Sequence, residues 1–137
     1  MRKINLGITG CLGRMGQQLI KSSTSNKNFK LVTLTENKVV NKRFNGVKLE
    51  LNTEKALNKT DVIIDFTTPS CTLDILKIAT KLKKKVIIGT TGFTKKEETL
   101  IKNFSKKKIH QFTLNPKKNF SLTSREEKNR KIFIFGR

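Results

Sequence analysis

Three glycines spaced Gly-x-x-Gly-x-x-Gly form the most informative pattern in the sequence: Gly10, Gly13 and Gly16. In a site for a dinucleotide, the first glycine makes a sharp turn and the second lets backbone N–H groups approach the pyrophosphate. The third lets a helix pack closely on a strand. The N-terminus of that helix adds a partial positive charge for the phosphates. Tight packing alone also produces three glycines in a strand-to-helix turn, and the sequence leaves that alternative open.

An acidic residue stands near the expected end of the second strand. Glu36 follows the third glycine by twenty residues, and dinucleotide sites place an acid at about this separation to bind the adenosine ribose. The alternative is a solvated residue at a strand end. Four polar residues that follow could meet a 2′-phosphate: Asn37, Lys38, Lys42 and Arg43. The pattern therefore leaves both NAD and NADP open.

Two segments rich in Thr and Gly follow further predicted strands, at residues 65–69 and 89–93. Parallel sheets bind ligands at the carboxyl ends of their strands. Backbone and hydroxyl groups there can face a nicotinamide ring and its ribose. The alternative for both segments is ordinary turn and helix-capping chemistry.

The elements that must position these residues alternate between strand and helix. Hydrophobic patterns predict strands over 4–9, 29–35, 61–66, 85–88 and 109–114. Helices are predicted over 13–25, 53–58 and 70–82, and after a capping box at 94–97. Residues 46–51 are ambiguous. This alternation predicts an α/β fold, a doubly wound, Rossmann-like parallel sheet over residues 1–114.

The periodicity fails after Leu114. Residues 115–118 read as a turn, residues 123–131 are highly charged, and residues 132–135 are an isolated apolar tetrad. We therefore expect residues 115–137 to form an aberrant, irregular basic tail.

Composition limits the possible partners. The chain has 137 residues, 35% of them hydrophobic, and a net charge of +20, which fits one domain. Such a charge permits an RNA, another acidic partner or an anionic membrane surface. However, 24 of the 30 cations are Lys and Asn is abundant, as expected of AT-rich coding DNA. A small basic binding module for RNA remains the alternative function, and we expect no membrane partner.

The cysteines and the histidine suggest no redox or metal chemistry. Cys11 and Cys71 form neither a disulfide framework nor a metal-ligand spacing, and Cys11 reads as a space-filling residue. A basic start without a signal peptide, and no apolar run of about eighteen residues, favour a cytoplasmic protein. His110 has no acidic or cysteine neighbour and is expected at the surface or a sheet edge.

Three motifs taken together resemble a known family. GCLGRMGQ at 10–17, DVIIDFTTP at 61–69 and IGTTGF at 88–93 look like the bacterial dihydrodipicolinate (4-hydroxy-tetrahydrodipicolinate) reductases. These enzymes of the diaminopimelate route to lysine use NAD(P)H, and the resemblance covers residues 2 to about 110. It implies a pyrophosphate site at Gly10, Cys11, Leu12, Gly13, Arg14 and Met15. It also implies that Glu36 binds the adenosine ribose and that Gly89, Thr90 and Thr91 lie at the nicotinamide side.

The chain departs from the family after about residue 114. Asn119 and Phe120 begin a family segment that contacts the cofactor, but residues 123–124 replace its Gly-Val. The family's catalytic His-His pair, nearby Lys and substrate-binding Gly-Thr have no counterpart, so no catalytic residue is assigned. The resemblance thus implies a truncated or frameshifted reductase without the C-terminal α+β substrate domain. The family assembles as a homotetramer through that domain, and we expect this chain to supply cofactor binding only.

Overall fold

A computed structural model describes residues 2–106, 111–114 and 132–135 of the chain. Its strands are β1 Ile4–Thr9, β2 Phe29–Glu36, β3 Arg43–Phe44, β4 Val47–Leu51, β5 Val62–Asp65, β6 Lys85–Ile88, β7 Gln111–Leu114 and β8 Ile132–Phe135. Its helices are α1 Arg14–Ser25, α2 Glu54–Asn58, α3 Pro69–Leu82 and α4 Lys95–Lys106. The strands and helices predicted up to residue 106 are all present.

The strands form one sheet in the order β3-β4-β2-β1-β5-β6-β8-β7. Every pairing is parallel except that of β3 with β4. β1 lies at the centre, between β2 and β5, so the carboxyl ends of these three strands meet at one edge. This is the doubly wound parallel sheet that the alternation predicts.

Two hydrophobic clusters cover the two faces of the sheet, because successive side chains of a strand point in opposite directions. One cluster joins β5 and β6 to α2, α3 and α4: Leu57, Ile63, Ile75, Leu76, Ala79, Val86, Ile88 and Ile101. The other joins β1, β2 and β4 to α1: Leu6, Ile8, Cys11, Ile20, Leu34 and Leu49. Helices therefore pack on both faces of the sheet.

The segment that the sequence left ambiguous is a hairpin. β3 and β4 pair antiparallel around the turn Asn45-Gly46. Both turn residues have positive φ, 50° for Asn45 and 80° for Gly46, as a two-residue turn of the I′ type requires. The Asn-Gly dipeptide is itself a strong hairpin signal, so the sequence did contain the information.

The predicted capping box at the start of α4 is confirmed. The N–H of Thr94 donates to Glu97 Oε2 at 2.8 Å, and the N–H of Glu97 donates to Thr94 Oγ1 at 3.2 Å.

Among the described residues, no helix combines the length and the apolar character needed to cross a bilayer.

The apolar tetrad near the end of the chain is not isolated, which corrects the sequence analysis. It forms β8, which pairs with β6 on one side and with β7 on the other. The physical reason is that β6 offers an unpaired edge, and alternating Ile and Phe suit a strand. Residues 115–131, 136 and 137 lie outside the described ranges, and a separate tail remains a prediction for them.

Candidate functional site

The three glycines of the loop after β1 differ in what a side chain would meet. Gly10 has φ +70°, and a Cβ there would lie 2.2 Å from the carbonyl oxygen of Phe66. A Cβ on Gly16 would lie 2.3 Å from the carbonyl oxygen of Gly10. A Cβ on Gly13 would meet only the Gly10 carbonyl oxygen, at 3.4 Å. Packing therefore requires the first and third glycines but not the second, which leaves open space above its backbone.

This open space lies at the N-terminus of α1. Gly13 is the N-cap in extended conformation, no side chain caps the helix, and its first turn contains no acidic residue. The first N–H groups of a helix lack acceptors within the helix, and its dipole favours an anion there. Arg14 and Met15 are exposed beside it. The loop and helix together make a place where a phosphate can bind.

Glu36 holds the glycine loop against the end of β2. Its Oε1 accepts a hydrogen bond from the N–H of Leu12 at 2.8 Å. The carbonyl oxygen of Thr35 accepts the N–H of Gly10 at 3.0 Å and that of Cys11 at 3.4 Å. The half-buried carboxylate of Glu36 is therefore fixed by one oxygen, which leaves the second oxygen to accept from a ligand.

A cleft of 220 Å³ joins these groups: it is lined by Gly10, Gly13, Glu36, Asn37, Phe66, Thr67, Thr68 and Cys71. The structure thus brings together the glycine loop, the predicted acid and the loop after β5. The sequence predicted all three to lie at the carboxyl edge of the sheet.

The segment after β6 lies next to this cleft without lining it. The N–H of Gly89 donates to the carbonyl oxygen of Asp65 at 2.7 Å, and a Cβ on Gly89 would lie 2.1 Å from Cζ of Phe66. Thr90 is buried, while Thr91 is exposed. The hydroxyl of Thr90 is already used in hydrogen bonds within the protein, so only Thr91 presents a free side chain to a ligand.

Sequence reasoning missed the role of Asp65, the last residue of β5. Its carboxylate is fully buried and accepts hydrogen bonds from four threonine hydroxyls. Burial raises the pKa of Asp65, and the four hydroxyls partly oppose that rise. The only signal in the sequence was the number of threonines near the strand ends.

Cys11 fills space, as the sequence predicts. Its side chain is fully buried in the hydrophobic cluster beside α1, so only its backbone could face a ligand. Burial, and secondarily the charge of Glu36, raise the pKa of the Cys11 thiol from 9.0 to about 11. The thiol is protonated at neutral pH and is a poor nucleophile.

We expect Cys11 to resist thiol reagents in the folded chain. In a Cys71→Ser variant, which leaves one thiol, reaction with a chromogenic disulfide at pH 7.5 should be about 100-fold slower than for a free cysteine, because the raised pKa lowers the thiolate fraction by about that factor. Absorbance during the reaction measures the rate. In denaturant the same variant should react at the rate of a free cysteine. Equal rates in the folded and unfolded chain would show that Cys11 is accessible and ionised.

Other residues singled out in the sequence are not placed. Asn119, Phe120 and His110 lie outside the described residues. Within the described ranges, no group of three or more His, Cys, Asp or Glu side chains could hold a metal ion.

Comparisons with solved structures agree with this architecture. The chain is similar to a dipicolinate-bound dihydrodipicolinate reductase from Paenisporosarcina sp. TG-14, with a TM-score of 0.64 and 16% identity over 98% of this chain and 78% of that one. It is also similar to an aspartate semialdehyde dehydrogenase with NADP from Candida albicans, with a TM-score of 0.60 and 12% identity over 98% of this chain and 42% of that one. At such identities the likeness shows the fold alone.

Sequence comparisons identify the family. The 4-hydroxy-tetrahydrodipicolinate reductase of Pelagibacter ubique is 73% identical over 106 residues, which are 77% of this chain and 41% of that protein. The chain thus spans less than half the length of this relative. None of the relatives described is named as an RNA-binding protein. The family model described as "Dihydrodipicolinate reductase, N-terminus" matches residues 4–116, so the chain belongs to the dihydrodipicolinate reductase family and corresponds to its N-terminal, nucleotide-binding domain.

Proposed function

We propose that the chain binds NAD(P)H in the cleft at the carboxyl edge, with the pyrophosphate over residues 10–15. The observation that carries this proposal is Gly13, whose backbone faces open space at the uncapped N-terminus of α1. A glycine that packing does not require is explained if a ligand must approach its backbone closely. The absence of an acidic residue from the first turn of α1 favours an anionic ligand there.

Glu36 is our candidate for binding the adenosine ribose. One carboxylate oxygen is fixed by Leu12, and the group lines the same cleft as Gly10 and Gly13. The second oxygen can accept hydrogen bonds from ribose hydroxyls. Lys38, exposed two residues later, offers a cation to a 2′-phosphate. We propose that Glu36 binds the ribose hydroxyls of NADH. For NADPH, Lys38 binds the 2′-phosphate and offsets the repulsion between that phosphate and Glu36.

The nicotinamide end is assigned to residues 89–91 at the end of β6. Gly89 is packed against Phe66 and fixes the backbone there, while Thr91 presents an exposed side chain. The reduced nicotinamide, when bound, supplies a hydride. We propose that the reaction of this family is the reduction of 4-hydroxy-tetrahydrodipicolinate in lysine biosynthesis, and that this chain contributes the binding of the cofactor to that reaction.

Titration of the chain with NADPH and NADH, followed by nucleotide fluorescence, tests the proposal. We expect saturable binding of both. Glu36→Gln removes the negative charge but keeps an oxygen that can accept from Leu12, so affinity for NADPH should rise relative to NADH by about tenfold. Lys38→Gln should change the ratio in the opposite direction. No saturable binding by the folded wild-type chain would reject the proposal.

A further inference from the structure

Asp65 is the centre of a buried hydrogen-bond cluster at the carboxyl edge of the sheet. Its carboxylate is 0% exposed. Its donors are the hydroxyls of Thr9 at 2.6 Å, Thr67 at 2.8 Å, Thr90 at 3.1 Å, and Thr72. Among the described residues no Lys or Arg forms an ion pair with it. We call these five residues the Asp65 cluster.

A buried carboxylate without a cation is costly, and hydroxyl donors offset that cost only while all of them stay in place. An apolar side chain would fill the same volume without the need for donors. The carboxylate therefore requires its hydroxyl donors at fixed positions, which an apolar side chain would not require. Any movement of a donating threonine away from Asp65 leaves a buried charge less well satisfied.

The four threonines come from the carboxyl ends of three strands and from the start of a helix. Thr9 ends β1 and directly precedes Gly10, whereas Thr67 follows β5. Thr90 follows β6, and Thr72 lies in the first turn of α3. The cluster thus joins the three loops to which we assign the cofactor.

Direct contacts between the loops restrict their movement relative to one another. Thr90 Oγ1 accepts the N–H of Thr67 at 2.9 Å while it donates to Asp65. The backbones of Gly10 and Phe66 are too close to admit a methyl group between them. A small shift of one loop must therefore be shared by the others.

We propose that Asp65 is a positioning residue: through the four hydroxyls it fixes the spacing of the loops after β1, β5 and β6, so that the cofactor meets a preformed site. This inference rests on the proposed cofactor function. Holding the loops in their bound arrangement strengthens binding because less ordering is left for the ligand to induce.

Thr72→Val in the full 137-residue chain tests the proposal. It removes one donor at constant shape from a buried residue that does not line the cleft. We expect two effects: amide resonances of Gly10 and Gly89 shift in the ¹H–¹⁵N spectrum of the free protein, and NADPH affinity falls about tenfold. Thr72→Ser, which restores the hydroxyl, should recover both. If Thr72→Val does not fold, Thr9→Val makes the same test from β1.

Thr33→Val is the matched control. Thr33 is equally buried, but its hydroxyl donates to the carbonyl oxygen of Ala56 at 2.9 Å, outside the Asp65 cluster. It should lower stability without moving the two glycine resonances or the affinity. Shifts confined to α3 together with unchanged NADPH affinity would overturn the inference. Shifts at both glycines in a chain whose wild type binds no NADPH would show the coupling of the loops but reject the proposed function.

Discussion

Gly13→Asp should abolish cofactor binding while leaving the fold intact. The position is the N-cap of α1, in extended conformation, and a Cβ meets only the Gly10 carbonyl oxygen at 3.4 Å. Aspartate is a favoured N-cap residue, so the free energy of unfolding should stay equal or rise by a few tenths of a kcal/mol. The new carboxylate would stand where the pyrophosphate binds. Repulsion between the carboxylate and the pyrophosphate should lower the affinity for NADPH by at least about 100-fold.

The measurement pairs urea unfolding with fluorescence titration of NADPH. Gly13→Asn is the matched control, because asparagine caps helices equally well but carries no charge. It should weaken binding less than Gly13→Asp, since it occupies space without the repulsion. If Gly13→Asp binds NADPH as the wild type does, the pyrophosphate does not lie over this loop.

Gly10→Ala should have the largest effect on stability. Alanine would be strained at φ +70°, and its methyl group would lie 2.2 Å from the carbonyl oxygen of Phe66. Strain and overpacking together should lower the free energy of unfolding by about 3 kcal/mol or more. Urea unfolding followed by circular dichroism measures the loss.

Gly92→Ala separates strain from overpacking. Gly92 also has positive φ, +85°, but nothing lies within 4 Å of a Cβ there. It should lower stability by about 1 kcal/mol, the cost of the backbone conformation alone. Equal losses for the two variants would mean that the contact between Gly10 and Phe66 relaxes freely and does not constrain the loops.

Local patterns made much of the fold predictable. Residues 62–64 and 86–88 are short continuous apolar runs, as expected of strands covered on both faces. The glycine spacing made the turn between β1 and α1 predictable, but the close approach of Gly10 to the carbonyl oxygen of Phe66 was not, because that contact joins two loops that are distant in sequence. Glu36 could be placed because β2 has a definite end. Its bond to Leu12 could not, because that contact spans 24 residues.

Features that depend on distant contacts escaped prediction. The hydrogen bonds of the Asp65 cluster join residues up to 56 positions apart, and the sequence does not show which hydroxyls turn inward. The position of β8 between β6 and β7 depends on which strand edge is free once the sheet has formed. Thr90 looked available to a ligand until the structure showed both hydrogen bonds of its hydroxyl.

The central position of β1 has a consequence for folding kinetics. Ile4 stands opposite Phe29 of β2, but Leu6 stands opposite Val62 of β5. One side of β1 can pair early, through the crossover that contains α1, whereas the other must wait until the chain has been synthesised as far as β5 and brought back. Chains dominated by such distant pairings fold more slowly than helical proteins of equal length. During that interval the strand that carries the glycine loop has an open edge, so the nascent chain is exposed to aggregation before its nucleotide site exists.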